Sequence, residues 1–302
     1  MKRRRVPGLI DLFEVNDPDE IKALARDPHL DRRFETATCP VNWLLLKRSL
    51  KVLSFNGRRF PTMMPRDDPQ RASRQQELWN TLTEKAASIK IGPEELEPLA
   101  KWVRGVGSDD QLGILVQQLL GQLFSGKFIA TEESWAAAKV LVAAPRSKNL
   151  PLMLWWFVSG KVRRAKHLLA DMVNDDLSAV NAIGIAVHNV VKSLRQMRLL
   201  YAKVEVRSGL SAEAAAEQCL FAPVSVYRQA AAAARLGDCS YSRHSLFVLS
   251  IGEAARDVGG RSLVFMEDGW SRCPANLWVP AMLQGVWSRA CVLTKSVAGH
   301  ED

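Results

Sequence analysis

The sequence contains few cysteines, and they lie far apart. The five among its 302 residues are Cys39, Cys219, Cys239, Cys273 and Cys291. An odd number at wide spacing argues against a disulfide scaffold, and no two of them have the spacing of zinc ligands. We therefore expect the protein in a reducing, cytoplasmic compartment.

Long apolar segments and complete catalytic motifs are missing as well. The basic residues at positions 2–5 are followed by Pro7 and Asp11, which interrupt the apolar region that a signal peptide requires. No uncharged apolar run reaches the length of a membrane span, so we expect no transmembrane segment. The sequence also has no Gly-rich phosphate loop, no HExxH and no Gly-x-Ser-x-Gly, which excludes the signatures of phosphate-loop, zinc-protease and α/β-hydrolase sites.

The composition is that of a globular protein with a basic surface. The chain is 47% hydrophobic and 24% charged, and its formal net charge is +9. This balance supports one large core or two smaller ones. Nucleic acid, anionic lipid or an acidic protein could each be attracted by the positive charge, although a basic protein needs no such partner.

The longest predicted helix runs from residue 177 to residue 206, and the rest of the chain is organised around it. One arc carries apolar side chains at helical spacing: Val180, Ile183, Val187, Val190, Val191, Leu194, Met197 and Tyr201. In the first half the opposite side is apolar too, through Ala182, Ile185 and Ala186. Because a helix that is apolar all round is a buried helix, we expect this half to lie in the core. His188 lies beside the main apolar arc.

The pattern as a whole predicts a mainly α, multi-helical single domain with a few short strands in the C-terminal third. The best internal boundary is at residues 145–149, and it divides a helical half, residues 1–145, from residues 146–302 within one compact unit. The later predicted helices cover residues 211–220, 223–235 and 276–294. Strand-like composition occurs at residues 245–250 and 262–265.

One segment has the composition of a membrane-surface helix. Apolar side chains, including Trp155 and Trp156, surround about two turns of a helix predicted to begin at Pro151. Basic residues follow directly: Lys161, Arg163, Arg164 and Lys166. Such a segment can lie on a lipid surface. Because the run is too short to span a bilayer and its basic residues suffice to solvate the helix end, we predict a packed helix in a cytoplasmic protein.

Cys273 is the strongest candidate for chemistry. It lies in the loop Gly269-Trp270-Ser271-Arg272-Cys273-Pro274-Ala275, which leads into the last predicted helix. A helix N-terminus and the charge of Arg272 both favour a thiolate, so the pKa of this cysteine is expected to be lowered. Such a thiolate can be a nucleophile or a metal ligand, and a buried, unreactive cysteine is the alternative.

Three stretches between residues 217 and 275 form a recognisable pattern. They are Phe221-Ala222-Pro223-Val224-Ser225-Val226-Tyr227-Arg228, then the run from Ser245 to Asp257 that ends in Ala-x-Arg-Asp, then Gly269-x-x-x-Cys273-Pro274-Ala275. They resemble the proline-rich segment, the strand with its Ala-x-Arg-Asp step and the cysteine loop of the haem-thiolate monooxygenases, the cytochrome P450 type.

The resemblance implies a haem cofactor with Cys273 as the axial metal ligand, and with Arg272 and Gly269 as neighbouring cofactor-binding residues. The central helix would take the place of the long helix over the distal haem face. His188 and Asn189 would then be its catalytic polar groups, with His188 as an alternative iron ligand. The implied function is an oxidative enzyme, or a haem-binding relative, that acts on an apolar small molecule and receives electrons from a partner protein.

The sequence departs from the family pattern in several places. Arg272 and Phe265 of the cysteine loop are each one position off, the interval from Pro223 to Cys273 is short, and two further motifs are changed. Glu217 stands where the family has Glu-x-x-Arg, but Leu220 replaces the arginine. The acid–alcohol pair of the distal helix is absent, and the nearest polar residues are His188 and Asn189. A haem protein without monooxygenase activity, or a relic of the fold that binds no haem, is therefore an open alternative.

A second pattern predicts DNA binding by the same residues. Residues 211–229 resemble a helix-turn-helix, with small residues in the first helix and Val-Tyr-Arg in the second. The residues that would face the major groove are Ser225, Tyr227, Arg228 and Gln229. The net positive charge would supply phosphate contacts. A DNA-binding protein, or a non-enzymatic helical interaction protein, is the alternative to the haem interpretation.

Overall fold

The computed structural model describes residues 1–34, 36–88, 93–146, 155–156, 158–258 and 260–298. Within them the chain is mainly helical with short strands, which confirms the predicted fold class. It divides into residues 1–77 with 222–273, called the sheet unit, and residues 78–221 with 274–302, called the helical unit. The predicted division into residues 1–145 and 146–302 follows a different line, and its boundary lies mostly outside the described residues.

The sheet unit is built on a five-stranded sheet. The strands of the unit are β1 Lys2–Val6, β2 Ile10–Val15, β3 Leu30–Asp31, β4 Ser54–Phe55, β5 Arg58–Arg59, β6 Val226–Ala230, β7 Ala234–Leu236, β8 Cys239–Tyr241 and β9 Leu246–Leu249. The large sheet has the order β1-β2-β9-β6-β3, while β4 with β5 and β7 with β8 form two-stranded pairs. Strands from both sequence segments of the unit therefore share one sheet, with β9 and β6 lying between β2 and β3.

The central strands of the sheet are held by an aromatic pair. β2 and β9 run parallel and place Phe13 opposite Phe247. The two rings are buried and stacked, with centroids 4.9 Å apart. β6 pairs antiparallel with β9 and places Arg228 opposite Phe247. Arg228 is thereby fixed on an inner strand of the sheet.

Short helices cover the rest of the sheet unit. Its helices are Pro18–Arg26, Pro40–Val52, the 3₁₀ turn Pro61–Met63, Ile251–Val258 and Arg261–Phe265, and a further helix, Arg71–Ser88, begins in it. The first is initiated by Asp17, whose carboxylate accepts hydrogen bonds from the backbone of Asp19 and Glu20 at 3.0 and 2.8 Å. A buried cluster of the unit joins Leu12, Phe34, Leu46, Met63 and Leu246.

The helical unit consists of helices around one long central helix. Its elements are Pro93–Val103, Asp109–Gln122, Glu132–Arg146, Lys161–Asp171, Leu177–Tyr201, Val204–Gly209, Ala212–Cys219, the 3₁₀ turn Pro274–Leu277 and Val279–Ala298. The last helix packs on Pro93–Val103 and on Ala212–Cys219, and Glu132–Arg146 packs on Lys161–Asp171. The side chains of Ser108 and Gln111 form a reciprocal capping box at the start of Asp109–Gln122.

The central helix Leu177–Tyr201 is buried in its first half, as predicted. Asp176 caps it, and the side chains of Val180, Ile183 and Val187 are fully buried. Residues 182–186 form a π turn, Ala182–Ala186, inside the helix. By length and composition the helix could cross a membrane, but 67% of its most apolar window is buried inside the protein, as in the core helix of a soluble protein.

Two predicted elements are wrong, each because of pairing or packing elsewhere in the chain. The helix predicted over residues 223–235 is replaced by β6 and β7, since β6 completes the sheet between β9 and β3. The alanine run therefore ends one strand at Ala230 and begins the next at Ala234. The strand predicted at residues 262–265 is the short helix Arg261–Phe265.

The N-terminal half is not purely helical either, because the five strands β1 to β5 belong to it. β1 is an edge strand whose side chains are all exposed. Its pairing with β2 is supported by two ion pairs, Arg3 with Asp11 and Arg4 with Glu14. A strand without buried residues has no apolar alternation, so the sequence contains no signal for it.

Candidate functional site

The loop that carries Cys273 is held by its own backbone. Cys273 N–H donates to the carbonyl of Phe265 at 2.7 Å, and Gly269 N–H donates to that of Met266 at 2.9 Å. A Cβ on Gly269 would lie 3.3–3.4 Å from Met266 O and from Ala25 Cβ and O, so glycine permits this close approach. Cys273 itself is half-buried, and the loop holds its backbone in one position.

The surroundings of Cys273 differ from the prediction in one respect. The chain continues into the 3₁₀ turn Pro274–Leu277, and the last α-helix begins only at Val279. The predicted last helix is therefore present, but its α-helical part begins a few residues later than expected, and the 3₁₀ turn between it and Cys273 weakens the helix-dipole argument. Arg272, predicted to bind the cofactor beside Cys273, is exposed.

Four arginines surround Trp270 in this loop. Their guanidinium carbons lie 4.2 Å (Arg71), 5.5 Å (Arg32), 5.6 Å (Arg228) and 6.0 Å (Arg66) from the centre of the indole ring. Arg71 also donates hydrogen bonds to the carbonyls of Met64 at 2.6 Å and of Trp270 at 3.3 Å. The sheet unit therefore gathers cationic side chains from distant parts of the sequence against one indole.

Burial makes this positive charge energetically unfavourable. Burial lowers the pKa of Arg228 to about 10, and the neighbouring charge of Arg71 adds to the effect. The pKa of Arg32 is held well below its ordinary value by burial and then by Arg228 and Arg71, with Cys273 and Asp31 acting in the opposite direction. Cys273 is thus close enough to the cluster to act on it electrostatically.

One buried carboxylate, Asp31, offsets part of the charge, but its oxygens are already engaged. Oδ1 accepts from the backbone of Arg32 at 2.6 Å and of Arg66 at 2.7 Å. Oδ2 accepts from Arg33 Nε at 3.1 Å. A buried group of arginines that outnumbers its carboxylates is stabilised when an additional anion binds.

Two buried donors of the cluster have no acceptor within the described part of the chain: Arg228 Nε and Trp270 Nε1. The other nitrogens of Arg228 are used, since Nη1 donates to the carbonyl of Tyr227 at 2.8 Å and Nη2 to Ser271 Oγ at 2.7 Å. Buried donors are almost always hydrogen-bonded in folded proteins. The arrangement can therefore bind a carboxylate or a similar oxyanion, and Arg32, Arg71 and Trp270 were not singled out in the sequence.

The two residues predicted on the central helix have different environments. His188 is buried, with Nε2 2.9 Å from the carbonyl of Ala138 and its ring 4.9 Å from that of Trp135. Asn189 is half-buried and lies on the neighbouring face. The contacts of His188 are those of a hydrogen-bonded core histidine, and its catalytic role stays a prediction.

The residues predicted to read DNA are wrongly placed for that role. Tyr227, Arg228 and Gln229 lie on β6 rather than on a recognition helix, and Ser225 precedes the strand. Arg228 and Gln229 are only 1% and 2% exposed, so they cannot reach a groove. Gln229 instead donates to the carbonyl of Thr36. The helix-turn-helix interpretation of residues 211–229 is therefore wrong.

Glu217, which stands alone where the resembled family has Glu-x-x-Arg, is not part of a buried ion pair in the described structure. Glu217 lies near the end of Ala212–Cys219 and is exposed. Its neighbour Cys219 is buried, which raises the pKa of its thiol to about 12. Cys219 is thus an unreactive core residue at neutral pH.

Comparison with known proteins gives the fold. No family model and no curated protein matches the chain. Among solved structures, a six-coordinated cytochrome P450 from Thermus thermophilus matches at 17% identity and a TM-score of 0.61, over 95% of this chain and 86% of that one. The P450 RauA, complexed with a biosynthetic intermediate of aurachin RE, matches at 14% identity and a TM-score of 0.65, over 92% of this chain and 82% of that one. Cytochrome P450EX alpha with myristic acid matches at 13% identity and a TM-score of 0.64, over 95% of this chain and 82% of that one. The chain has the fold of a cytochrome P450.

Proposed function

We propose that the protein binds haem with the Cys273 thiolate as axial ligand, and that it is an oxidative enzyme, or a haem-binding relative of one, for an apolar small molecule. The observation that carries this proposal is the buried positive charge near Cys273, which Asp31 compensates only in part, together with the donors Arg228 Nε and Trp270 Nε1, which have no acceptor among the described residues. Haem presents propionate carboxylates and an iron that accepts thiolate, so both halves of this donor set fit it.

The residues of the cluster would hold the cofactor by its carboxylates. Arg228 and Trp270 would donate to a propionate oxygen, and Ser271 fixes the Arg228 guanidinium through the 2.7 Å bond to Nη2. Arg32 would supply further positive charge, and a bound anion would raise its lowered pKa towards the ordinary value. When bound, haem would supply iron for one-electron and oxygen chemistry, which requires electrons from a partner protein.

An apolar strip on the central helix is, within the helical unit, a candidate surface for an apolar small molecule. Four positions at helical spacing form a half-buried strip: Ala182, Ile185, Ala186 and Asn189. The strip is apolar except for Asn189, which agrees with an apolar substrate and makes Asn189 the polar group available to it. His188 points to the carbonyl of Ala138 and so would position the helix rather than contact the substrate.

Hemin titration tests the proposal. Protein purified from haem-supplemented cells, or apoprotein mixed with hemin, is expected to show a Soret absorption band. Cys273→Ser should shift or abolish the band because a hydroxyl is a poorer ligand for iron than a thiolate. The measurement is the absorption spectrum in the oxidised, reduced and carbon monoxide-bound forms.

The matched control is Cys239→Ser, which removes a half-buried cysteine of the same unit that lies on β8. It should leave the spectrum unchanged. A protein that stays colourless and takes up no hemin would contradict the proposal, and so would a spectrum that is identical in the wild type and Cys273→Ser.

A further inference from the structure

Two apolar side chains just before helix Lys161–Asp171 are exposed close together in the sequence. Trp155 is 48% exposed and Val158 is 83% exposed. The Trp155 ring meets that of Trp156 edge to face, with centroids 5.9 Å apart. The prediction that residues 151–166 form one packed helix is therefore wrong for Trp155 and Val158. Apolar side chains that are exposed next to one another can mark an interaction surface, whereas isolated exposed ones are ordinary.

A basic turn adjoins this apolar surface. Gly160 adopts a left-handed conformation, with φ of 65°, and interrupts the predicted helix so that Lys161 begins a new one. Lys161 Nζ lies 4.1 Å from the centre of the Trp155 ring. Arg163 and Arg164 on the next turn are exposed. Basic and apolar groups thus share one corner of the helical unit.

The arginines of this corner have no carboxylate partner within the part of the chain that the structure describes. Helix Lys161–Asp171 is anchored by its buried face, which includes Val162, Ala165 and Leu169, and this fixes which side faces solvent. Among the described residues neither Arg163 nor Arg164 forms an ion pair. Their charges are therefore available to an anionic partner.

We propose that this corner, formed by Trp155, Val158, Lys161, Arg163 and Arg164, binds the surface of an anionic lipid bilayer. Tryptophan and basic side chains are the residues that proteins place at the boundary between lipid headgroups and acyl chains. Free phosphate could neutralise the arginines, but it would not bury Val158 and the exposed face of Trp155. A bilayer satisfies both requirements, since phosphate groups lie directly above apolar chains. The association would be peripheral and needs no membrane-spanning helix.

Vesicle flotation tests this surface without reference to haem, so its result is independent of the function proposed above. The protein is expected to float with mixed phosphatidylcholine–phosphatidylglycerol vesicles, to stay behind with phosphatidylcholine alone, and to be released by high salt. Removing the two charges in Arg163→Gln/Arg164→Gln should lower the partition coefficient by about fivefold for each arginine. Trp155→Ala/Val158→Ser should reduce flotation at unchanged charge.

Matched controls separate this corner from a general effect of basic charge. Lys2→Gln/Arg5→Gln removes the same charge from the exposed strand β1, and Ile129→Ser removes a side chain that is 70% exposed elsewhere in the helical unit. Both should float like the wild type, and all variants should keep its melting temperature because the substituted side chains are exposed. Absence of flotation at low salt would overturn the proposal. An equal loss of flotation in the control variants would also overturn it.

Discussion

Gln117 closes the hydrogen bonding around the π turn of the central helix. Its Nε2 donates to the carbonyl of Ile183, within Ala182–Ala186, at 3.0 Å and to that of Ser134 at 3.1 Å. Its Oε1 accepts from Ser134 Oγ at 2.6 Å. Gln117 and Ser134 are completely buried, so water cannot take over these bonds. One amide therefore links three helices at the point where the central helix departs from α geometry.

Replacing this amide with an apolar group of similar size should lower the free energy of unfolding. Gln117→Leu would leave the carbonyls of Ile183 and Ser134 without this donor, while the Ser134 hydroxyl could still donate to the carbonyl of Thr131 at 2.9 Å. At about 1–2 kcal/mol for each of the two buried carbonyls that lose a donor, we expect the free energy of unfolding to fall by about 2–4 kcal/mol. The melting temperature should fall by roughly 4–8 °C.

The neighbouring Gln118 provides the control. It lies on the same helix, donates to the carbonyl of Phe128 at 2.7 Å and accepts from the backbone of Ala130 at 2.7 Å, but it is only half-buried. Water can replace its bonds, so Gln118→Leu should cost about 0.5–1.5 kcal/mol. Denaturant unfolding followed by circular dichroism measures both variants. If Gln117→Leu were no less stable than Gln118→Leu, the bracing of the π turn would be refuted.

The pH dependence of Gln117→Glu gives a second measurement on the same site. A protonated carboxyl can donate one hydrogen bond to a carbonyl, whereas a carboxylate can only accept. Burial raises the pKa of such a carboxyl above the ordinary value of about 4.3. The folded variant then retains a proton that the unfolded chain releases, so its stability relative to the wild type should fall as the pH rises above that value. A pH-independent difference from the wild type would show that the group is not buried as described.

Two further substitutions test the packing of the helical unit and the charge of the sheet unit. A Cβ on Gly113 would lie 2.1 Å from Trp135 Cε2, so Gly113→Ala should destabilise the protein by about 1–3 kcal/mol in denaturant unfolding. Gly126 has open space around its Cβ position, so Gly126→Ala should change stability by less than about 0.5 kcal/mol. Arg228 has a pKa of about 10 in the folded protein, below the ordinary arginine value that it regains on unfolding. The unfolded chain therefore binds more protons between these two pKa values, and this residue makes stability rise with pH there. Arg228→Met should abolish this rise of the unfolding free energy with pH in the ligand-free protein. It should also weaken hemin binding at neutral pH by about tenfold or more, as expected for loss of a charged hydrogen bond. An unchanged affinity for hemin would argue against the proposed contact of Arg228 with a haem carboxylate.

The fold was predictable where apolar patterning follows a local period. Leu177–Tyr201 is apolar around its first half and is buried, and residues 246–249 form a strand as their composition indicates. The π turn was not predictable, because its bonds depend on Gln117 from another helix. Strand β6 was not predictable either, because its conformation is decided by its partners in the sheet and not by the alanines that follow.

The candidate site was predictable only in part, for a similar reason. The sequence pattern identified Cys273 and its loop, and it included Arg228, although for the wrong partner. Arg32, Arg71 and Trp270 have no periodic or motif relationship in the sequence, and folding of the sheet unit brings them together. Spatial clusters of single residues from separate elements carry no local signal.

The π turn and the arginine cluster both depart from the regular geometry and charge pairing of a stable fold. They differ in whether the protein itself supplies the missing partner. The π turn exposes a carbonyl of Ile183 to a side-chain donor, and Gln117 supplies that donor from within the protein. The arginine cluster also departs from the rules, but Arg228 Nε and Trp270 Nε1 find no acceptor among the described residues. A departure that the protein itself compensates is part of its architecture. The second departure is not compensated among the described residues, and the proposed bound anion would supply the missing acceptor and charge.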